Sequence, residues 1–257
     1  MGPLTIHFYA IAILTGIAVA IYWGNARFVA AGGAPGRVSE IAIVAVPMGV
    51  IGGRIYHVIS SPQGYFGENG RPIEIFYIWQ GGLGIWGAIS LGLAAAWWSF
   101  KRNKISAANS LTFGVFADAL APGVVVAQAI GRWGNWFNVE LFGRPTTLPW
   151  GLEVPMRFRP DGFTEFATFH PTFIYESIWC LIVAFILLRF EKFRMAPGSI
   201  FIAYVALYSF GRIFIESLRI DDANLILGLR LNIWVGILVC AVSSATLIKR
   251  WKIATRG

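Results

Sequence analysis

The sequence predicts an all-α membrane protein with seven transmembrane helices, the N-terminus outside, the C-terminus cytoplasmic, and a small extracytoplasmic cap. Three observations carry that reading. The 257 residues are 56% hydrophobic and only 13% charged, where soluble domains run at about 25% charged, and the mean hydropathy is +0.64. Seven apolar runs approach the roughly 20 residues a helix needs to cross the hydrocarbon core. Basic residues also gather in alternate connections, and cytoplasmic loops are where such residues belong.

Taken in order, the first run, 5–23, lacks the basic stretch that opens a signal peptide and reads as a span. Arg27 and Arg37 follow it. The second run is 41–59. The third, 83–100, is short and glycine-rich, and Lys101, Arg102 and Lys104 follow it. The fourth is 111–130. Residues 131–170 then carry Pro145, Pro149, Pro155, Pro160 and Gly162, the composition of a cap of turns and short strands. Pro171 suits the first turn of the fifth run, 172–190, which Lys192 and Arg194 follow. The sixth and seventh runs are 199–218 and 231–248, the last followed by Lys249, Arg250, Lys252 and Arg256. Most acids fall on the opposite side: Glu68, Glu74, Glu140, Glu153, Asp161, Glu165, Asp221 and Asp222. Residues 1–257 thus read as a single integral membrane domain, with the cap at 131–170 between spans four and five.

The net charge of +8 is explained by cytoplasmic anchoring residues, so nucleic acid is not an expected partner. Cys180 and Cys240 lie in apolar runs without metal-ligand spacing and read as packing residues. His7, His57 and His170 are too scattered to suggest a metal site, and no serine-hydrolase or zinc-protease motif occurs. No metal or organic cofactor is expected.

Ionisable residues inside a membrane are costly and mark functional sites by default. The richest stretch is 131–143, where Gly131, Arg132, Gly134, Asn135, Asn138, Glu140 and Gly143 follow the pattern G-R-x-G-N-x-x-N-x-E-x-x-G. Arginine binds phosphate oxygens in a bidentate fork, asparagine donates and accepts, and glycine lets backbone approach a ligand. If helix continues through Asn138, then Arg132, Asn135 and Asn138 share a face. An interfacial anchor would explain Trp133 and Trp136 but not the amides or Glu140. Arg212, Glu216 and Arg219 form a second charged stripe, either an ion pair locking helices or a second basic group for the same pocket. Arg54, after Gly52 and Gly53, either snorkels outward or binds a ligand, and Gly49 with Gly53 offers a close helix approach. His7, Phe8 and Tyr9 sit near an outer helix end. Asp118, beside Pro122, is ambiguous. An anion transporter would spread its polar groups along a path to the inner face, whereas these clusters gather at the outer ends.

These motifs resemble those of the bacterial prolipoprotein diacylglyceryl transferases. The 131–143 pattern is similar to that family's signature. His7-Phe8-Tyr9, Gly52-Gly53-Arg54, Gln80-Gly81-Gly82, His170-Pro171-Thr172 with Tyr175-Glu176, and the Arg212/Glu216 pair match its other motifs in order. The resemblance implies transfer of the diacylglyceryl group of phosphatidylglycerol to the thiol of the lipobox cysteine of a preprolipoprotein. The products would be a thioether and glycerol 1-phosphate, made at the outer leaflet of the bacterial cytoplasmic membrane.

It further implies Arg132, Arg212, Glu140 and Tyr9 as catalytic residues, with Arg132, Asn135, Asn138, Gly143, Glu216 and Arg54 holding the lipid. One departure stands out. Many family members carry a histidine, a candidate base, where this chain has Trp86, so the proton acceptor stays unassigned.

Overall fold

The structure is a computed structural model that describes residues 8–66, 70–78, 81–102, 111–193, 195–221, 223 and 225–254. His7, Glu68, Gln80, Lys104, Arg194, Asp222 and Arg256 lie outside the described residues. The long helices are α1 (Phe8–Ala30), α2 (Arg37–Ser60), α4 (Ile85–Arg102), α5 (Phe113–Asn138), α6 (Thr172–Phe190), α7 (Ser199–Leu218) and α8 (Leu231–Ala254), with a single turn α3 (Gln63–Phe66) after α2.

Six of these helices, all the long ones except α4, are long and apolar enough to cross a membrane. The seventh expected span is a helix, but Gly87, Ser90, Gly92 and Ser99 dilute its apolar run and it ends on Lys101 and Arg102. The chain forms two compact units, Gly32–Phe113 and Met1–Ala31 with Gly114–Gly257.

In the first of these units α2 packs on α4 through glycine. A Cβ on Gly52 would fall onto the Gly87 carbonyl oxygen, and one on Gly87 onto that of Gly52. Gly49 and Gly53 face Ala88, so the close approach expected from this pair is realised. Arg37 covers the far end by donating to the carbonyls of Ser99 (3.0 Å) and Phe100 (3.3 Å), where a cation suits the helix C-terminus.

In the other unit α1 lies on α5 by the same device. A Cβ on Gly16 would meet the Ala127 carbonyl at 2.8 Å, and one on Gly123 would meet Ala20 Cα at 3.2 Å. Val125 and Ala129 of α5, Cys180, Val183 and Leu187 of α6 and Ala203 of α7 form the buried core. Asp118 accepts the N–H groups of Gly198 (2.6 Å) and Phe201 (2.8 Å). It therefore caps the N-terminus of α7 from a neighbouring helix, which gives this carboxylate a structural task.

The helical face of residues 131–138 persists to Asn138, so turns begin only at Val139. Between α5 and α6, β1 (Leu152–Glu153) pairs antiparallel with β2 (Thr168–Phe169), with Leu152 opposite Phe169. Phe142, Val154 and Phe169 make a small core there. Between α7 and α8, β3 (Leu225–Ile226) and β4 (Leu229–Arg230) form a tight hairpin.

Candidate active site

The C-terminal ends of α5 and α7 and the N-terminal ends of α6 and α8 meet around two buried carboxylates. Glu176, one turn into α6, is 3% exposed. Its Oε1 lies 2.7 Å from Arg132 Nη2 of α5 and accepts the Tyr208 hydroxyl at 2.7 Å. Its Oε2 accepts Arg212 Nη1 of α7 at 2.8 Å. One carboxylate thus fixes two guanidinium groups.

The chain of charge continues. Arg212 Nη2 reaches Glu216 Oε2 at 2.5 Å, one turn on. Glu216 is wholly buried and its Oε1 accepts Arg230 Nε at 2.8 Å and Asn232 Nδ2 at 3.1 Å. Arg219 and Arg230 both bind Asp221, Arg219 through Nε (2.6 Å) and Nη2 (2.8 Å), Arg230 through Nη2 (2.9 Å).

Burial alone would raise the Asp221 carboxyl, but hydrogen bonds and charge from Arg219, then Arg230, hold it below the ordinary carboxylate range. Burial likewise works against the Arg230 cation, and Glu216 with Asp221 outweighs it, so its pKa is raised.

The network joins four arginines to three carboxylates, leaving one positive charge in excess. Among the described residues, Arg132 Nε and Nη1 and Arg212 Nε have no protein acceptor. A preorganised, partly unsatisfied pair of guanidinium groups in apolar surroundings is an anion clamp, suited to phosphate oxygens.

Beside it α5 ends in an unusual reversal. The Val139 N–H donates to the Trp136 carbonyl and the Glu140 N–H to the Asn135 carbonyl, each at 3.2 Å. This is the Schellman pattern, whose left-handed position is normally glycine. Here it is Val139, with φ 52°, and Leu141 follows with φ 57°. A β-branched residue in that region is a real outlier, and such strain costs about 1–3 kcal/mol per residue.

The reversal folds Glu140 back over the last turn of α5. There its Oε1 accepts Asn135 Nδ2 at 2.8 Å and Asn138 Nδ2 at 3.0 Å. The following chain is pinned. Thr172 Oγ1 donates to the Leu141 carbonyl, Gly143 donates its N–H to the His170 carbonyl (2.7 Å), and Gly143 bridges to Arg219. A Cβ on Gly143 would sit 2.8 Å from Thr172 Cγ2 and 2.9 Å from the Leu218 carbonyl, so Gly143 is required by close packing.

Of the residues expected from sequence, Arg132, Arg212 and Glu216 join one network, and Asn135, Asn138 and Glu140 form a second cluster at the end of the same helix. Tyr9 lies over Gly134, where a Cβ would fall 2.5 Å from its Cδ2. Arg54 belongs to the other unit. It is buried and donates to the carbonyls of Ile75 (2.7 Å), Gly81 (2.8 Å), Gly82 (3.2 Å) and Glu74, while its guanidinium stands over the Tyr65 ring. That geometry makes Arg54 the organiser of the loop between α3 and α4.

Sequence reasoning passed over Glu176 as a charge. It was visible as a lone carboxylate within an apolar run, a placement that is costly without partners. Tyr208, Arg230, Asp221 and Asn232 gave no local signal, because only the helix packing brings them in.

A family model described as prolipoprotein diacylglyceryl transferase matches residues 1–249. Phosphatidylglycerol–prolipoprotein diacylglyceryl transferase 2 of Streptomyces coelicolor is 50% identical over 249 residues, 96% of this chain and 77% of that protein. The similarly named proteins of Frankia alni and Cutibacterium acnes are 50% and 52% identical, over 97% and 90% of this chain and 65% and 77% of theirs.

Proposed function

The chain belongs to the prolipoprotein diacylglyceryl transferase family, and from that premise we propose that it moves the diacylglyceryl group of phosphatidylglycerol onto the lipobox cysteine thiol of a preprolipoprotein. The observation that carries this is the Arg132–Glu176–Arg212 bridge, which holds two partly unsatisfied cations at one point. The thiol sulfur attacks the glyceryl carbon bearing the phosphate ester. As that carbon–oxygen bond breaks, negative charge grows on the phosphate, where preorganised donors lower the barrier. Arg132 and Arg212 stabilise it and glycerol 1-phosphate leaves. Asn135 and Asn138 position Glu140, and Tyr9 lines the approach over Gly134. Gly143 holds the backbone turn beside Arg219, and Glu216 holds Arg212 and Arg230.

The site lies toward the outer leaflet, with α4 as a seventh span, the N-terminus outside and the C-terminus cytoplasmic. The charge distribution supports this. Tyr9, Arg132, Glu176, Arg212 and Arg230 occupy one set of helix ends, while Arg27, Arg189, Lys192, Lys249 and Arg250 occupy the other, as cytoplasmic ends do.

The test is incubation of the purified protein with phosphatidylglycerol and a lipobox peptide, read by mass. A peptide that gains a diacylglyceryl group is the expected product. Unmodified peptide in a folded, lipid-supplied sample sinks the reading.

A further inference from the structure

We propose that Glu140 accepts the proton of the acceptor thiol, a role that rests on the transferase reading and deepens it. Thiolate, not thiol, is the nucleophile, so the reaction needs a proton acceptor, and Trp86 cannot be one. Arginine keeps its proton in proteins, so in the unit that holds the clamp the described candidates are the carboxylates and His170. Glu176, Glu216 and Asp221 each have both oxygens engaged by arginine, tyrosine or asparagine donors. Glu140 differs. Both of its amide partners bind Oε1, and among the described residues Oε2 accepts nothing. The carboxylate is therefore aimed by one oxygen and open at the other.

The local structure works against this arrangement in three ways. Val139 and Leu141 both take left-handed backbone, at φ 52° and 57°, and Glu140 places negative charge at a helix C-terminus, the unfavourable end of the dipole. A glycine at position 139 and an uncharged residue at 140 would remove two of these penalties. Strain of this kind clusters where a group must be held in one place.

In the step, the S–H proton passes to Glu140 Oε2 as the sulfur forms its bond to the glyceryl carbon. The carbon–oxygen bond to phosphate breaks and its electron pair stays on the phosphate oxygen. The proton then moves from Glu140 to the departing glycerol 1-phosphate, leaving the carboxylate as it began.

His170 is the rival acceptor. Its Nδ1 lies 3.1 Å from the Tyr175 hydroxyl, which also accepts the Trp150 indole N–H at 2.9 Å.

The test compares the full-length wild type, Glu140→Gln, Glu140→Asp and His170→Gln in phosphatidylglycerol vesicles, with lipobox peptides carrying cysteine or selenocysteine. The expected result is a loss of about 100- to 10,000-fold in kcat for Glu140→Gln with the cysteine peptide at neutral pH. That loss shrinks as pH rises toward about 8.5, where a free thiol ionises unaided. It also largely disappears with selenocysteine, whose selenol is already ionised. Glu140→Asp keeps the wild-type pH profile at lower rate, which secures the test if the glutamine variant does not fold.

Three outcomes overturn the proposal while leaving the transferase reading intact. One is a Glu140→Gln defect confined to KM for phosphatidylglycerol. Another is an equal defect with both peptides. The third is the pH shift appearing in His170→Gln instead. A wild type that modifies neither peptide overturns both.

Discussion

Arg132 and Arg212 grip opposite oxygens of a single buried carboxylate, at 2.7 and 2.8 Å from Glu176. Neither arginine is near the other in sequence, so their separation in space is set by the width of one carboxylate. Glu176→Gln keeps that width but leaves two half-buried cations without their shared, buried anion. Breaking a buried ion pair this way costs about 3–5 kcal/mol. The expected outcome is a large fall in the unfolding midpoint in detergent, together with a fall in transfer of at least about 100-fold. Arg132→Lys should lose activity almost as fully as Arg132→Ala, since a point charge cannot replace the fork. Both arginine variants should still insert in the membrane. Near-normal transfer by purified Arg132→Ala would contradict the clamp.

Tyr9 and Gly134 make a second pair that can be separated by mutation. A methyl at residue 134 would stand 2.5 Å from Tyr9 Cδ2 and 3.2 Å from its Cα. Gly134→Ala must therefore push α1 from α5 or rotate the ring. Transfer should fall in Gly134→Ala and in Tyr9→Ala. The double variant should lose less than the product of the two, because contacting residues couple by about 0.5–3 kcal/mol. Strict multiplicativity in a double-mutant cycle would show that Gly134 acts elsewhere.

Much of the fold was legible because lipid imposes simple rules. Apolar run length located every long helix, and Gly49 with Gly53 announced a close helix approach, for which the structure supplies α4 as the partner. What failed to show was anything made by two distant segments. Asp118 was ambiguous until α7 placed its first N–H groups over it. Glu176 shows in sequence only as a lone carboxylate in an apolar run, since the partners that make it the hub come from α5 and α7. The turn at Val139 had no signal at all, because that position normally advertises itself with glycine or asparagine. The third run forms the helix α4, and its composition sets it apart from the six longer apolar helices.

Relief of strain at that turn is directly measurable. Val139→Gly removes the side chain that opposes φ 52°, and should stabilise the protein by about 1 kcal/mol. The expected reading is a higher thermal midpoint in detergent. Transfer should drop several-fold at the same time, because glycine lets Glu140 leave Asn135 and Asn138. A variant that is less stable than wild type would mean that Val139 packing outweighs its backbone strain.

Acid should loosen the α7–α8 connection. Asp221 has its folded pKa lowered by Arg219 and Arg230 against the opposing effect of burial. In the unfolded chain an aspartate titrates near about 3.9. Above that pH the unfolded and folded forms are both ionised and the full stabilisation is present. As pH falls below it, the unfolded chain takes up the proton first, so stability is lost progressively until the folded group also titrates. Asp221→Asn should be less stable than wild type at neutral pH, and the gap should narrow only below about pH 4. Unfolding midpoints of both proteins across that range give the comparison, and a gap that closes at higher pH would assign the linkage to another group.

Arg54 provides the contrast that separates a loop organiser from a lipid ligand. Its donors go to the carbonyls of Glu74, Ile75, Gly81 and Gly82, so Arg54→Ala should free that loop and leave four carbonyls without this partner, three of them on the half-buried Glu74, Ile75 and Gly82. The expected outcome is faster amide exchange and easier proteolysis confined to residues 70–78 and 81–82, with a modest fall in transfer that follows the loop's loosening. Arg54→Lys, which can reach only part of the carbonyl set, should fall between. A variant with an intact, protected loop and a large rise in KM for phosphatidylglycerol would instead make Arg54 a headgroup ligand, because the loss would then track the lipid and not the backbone it holds.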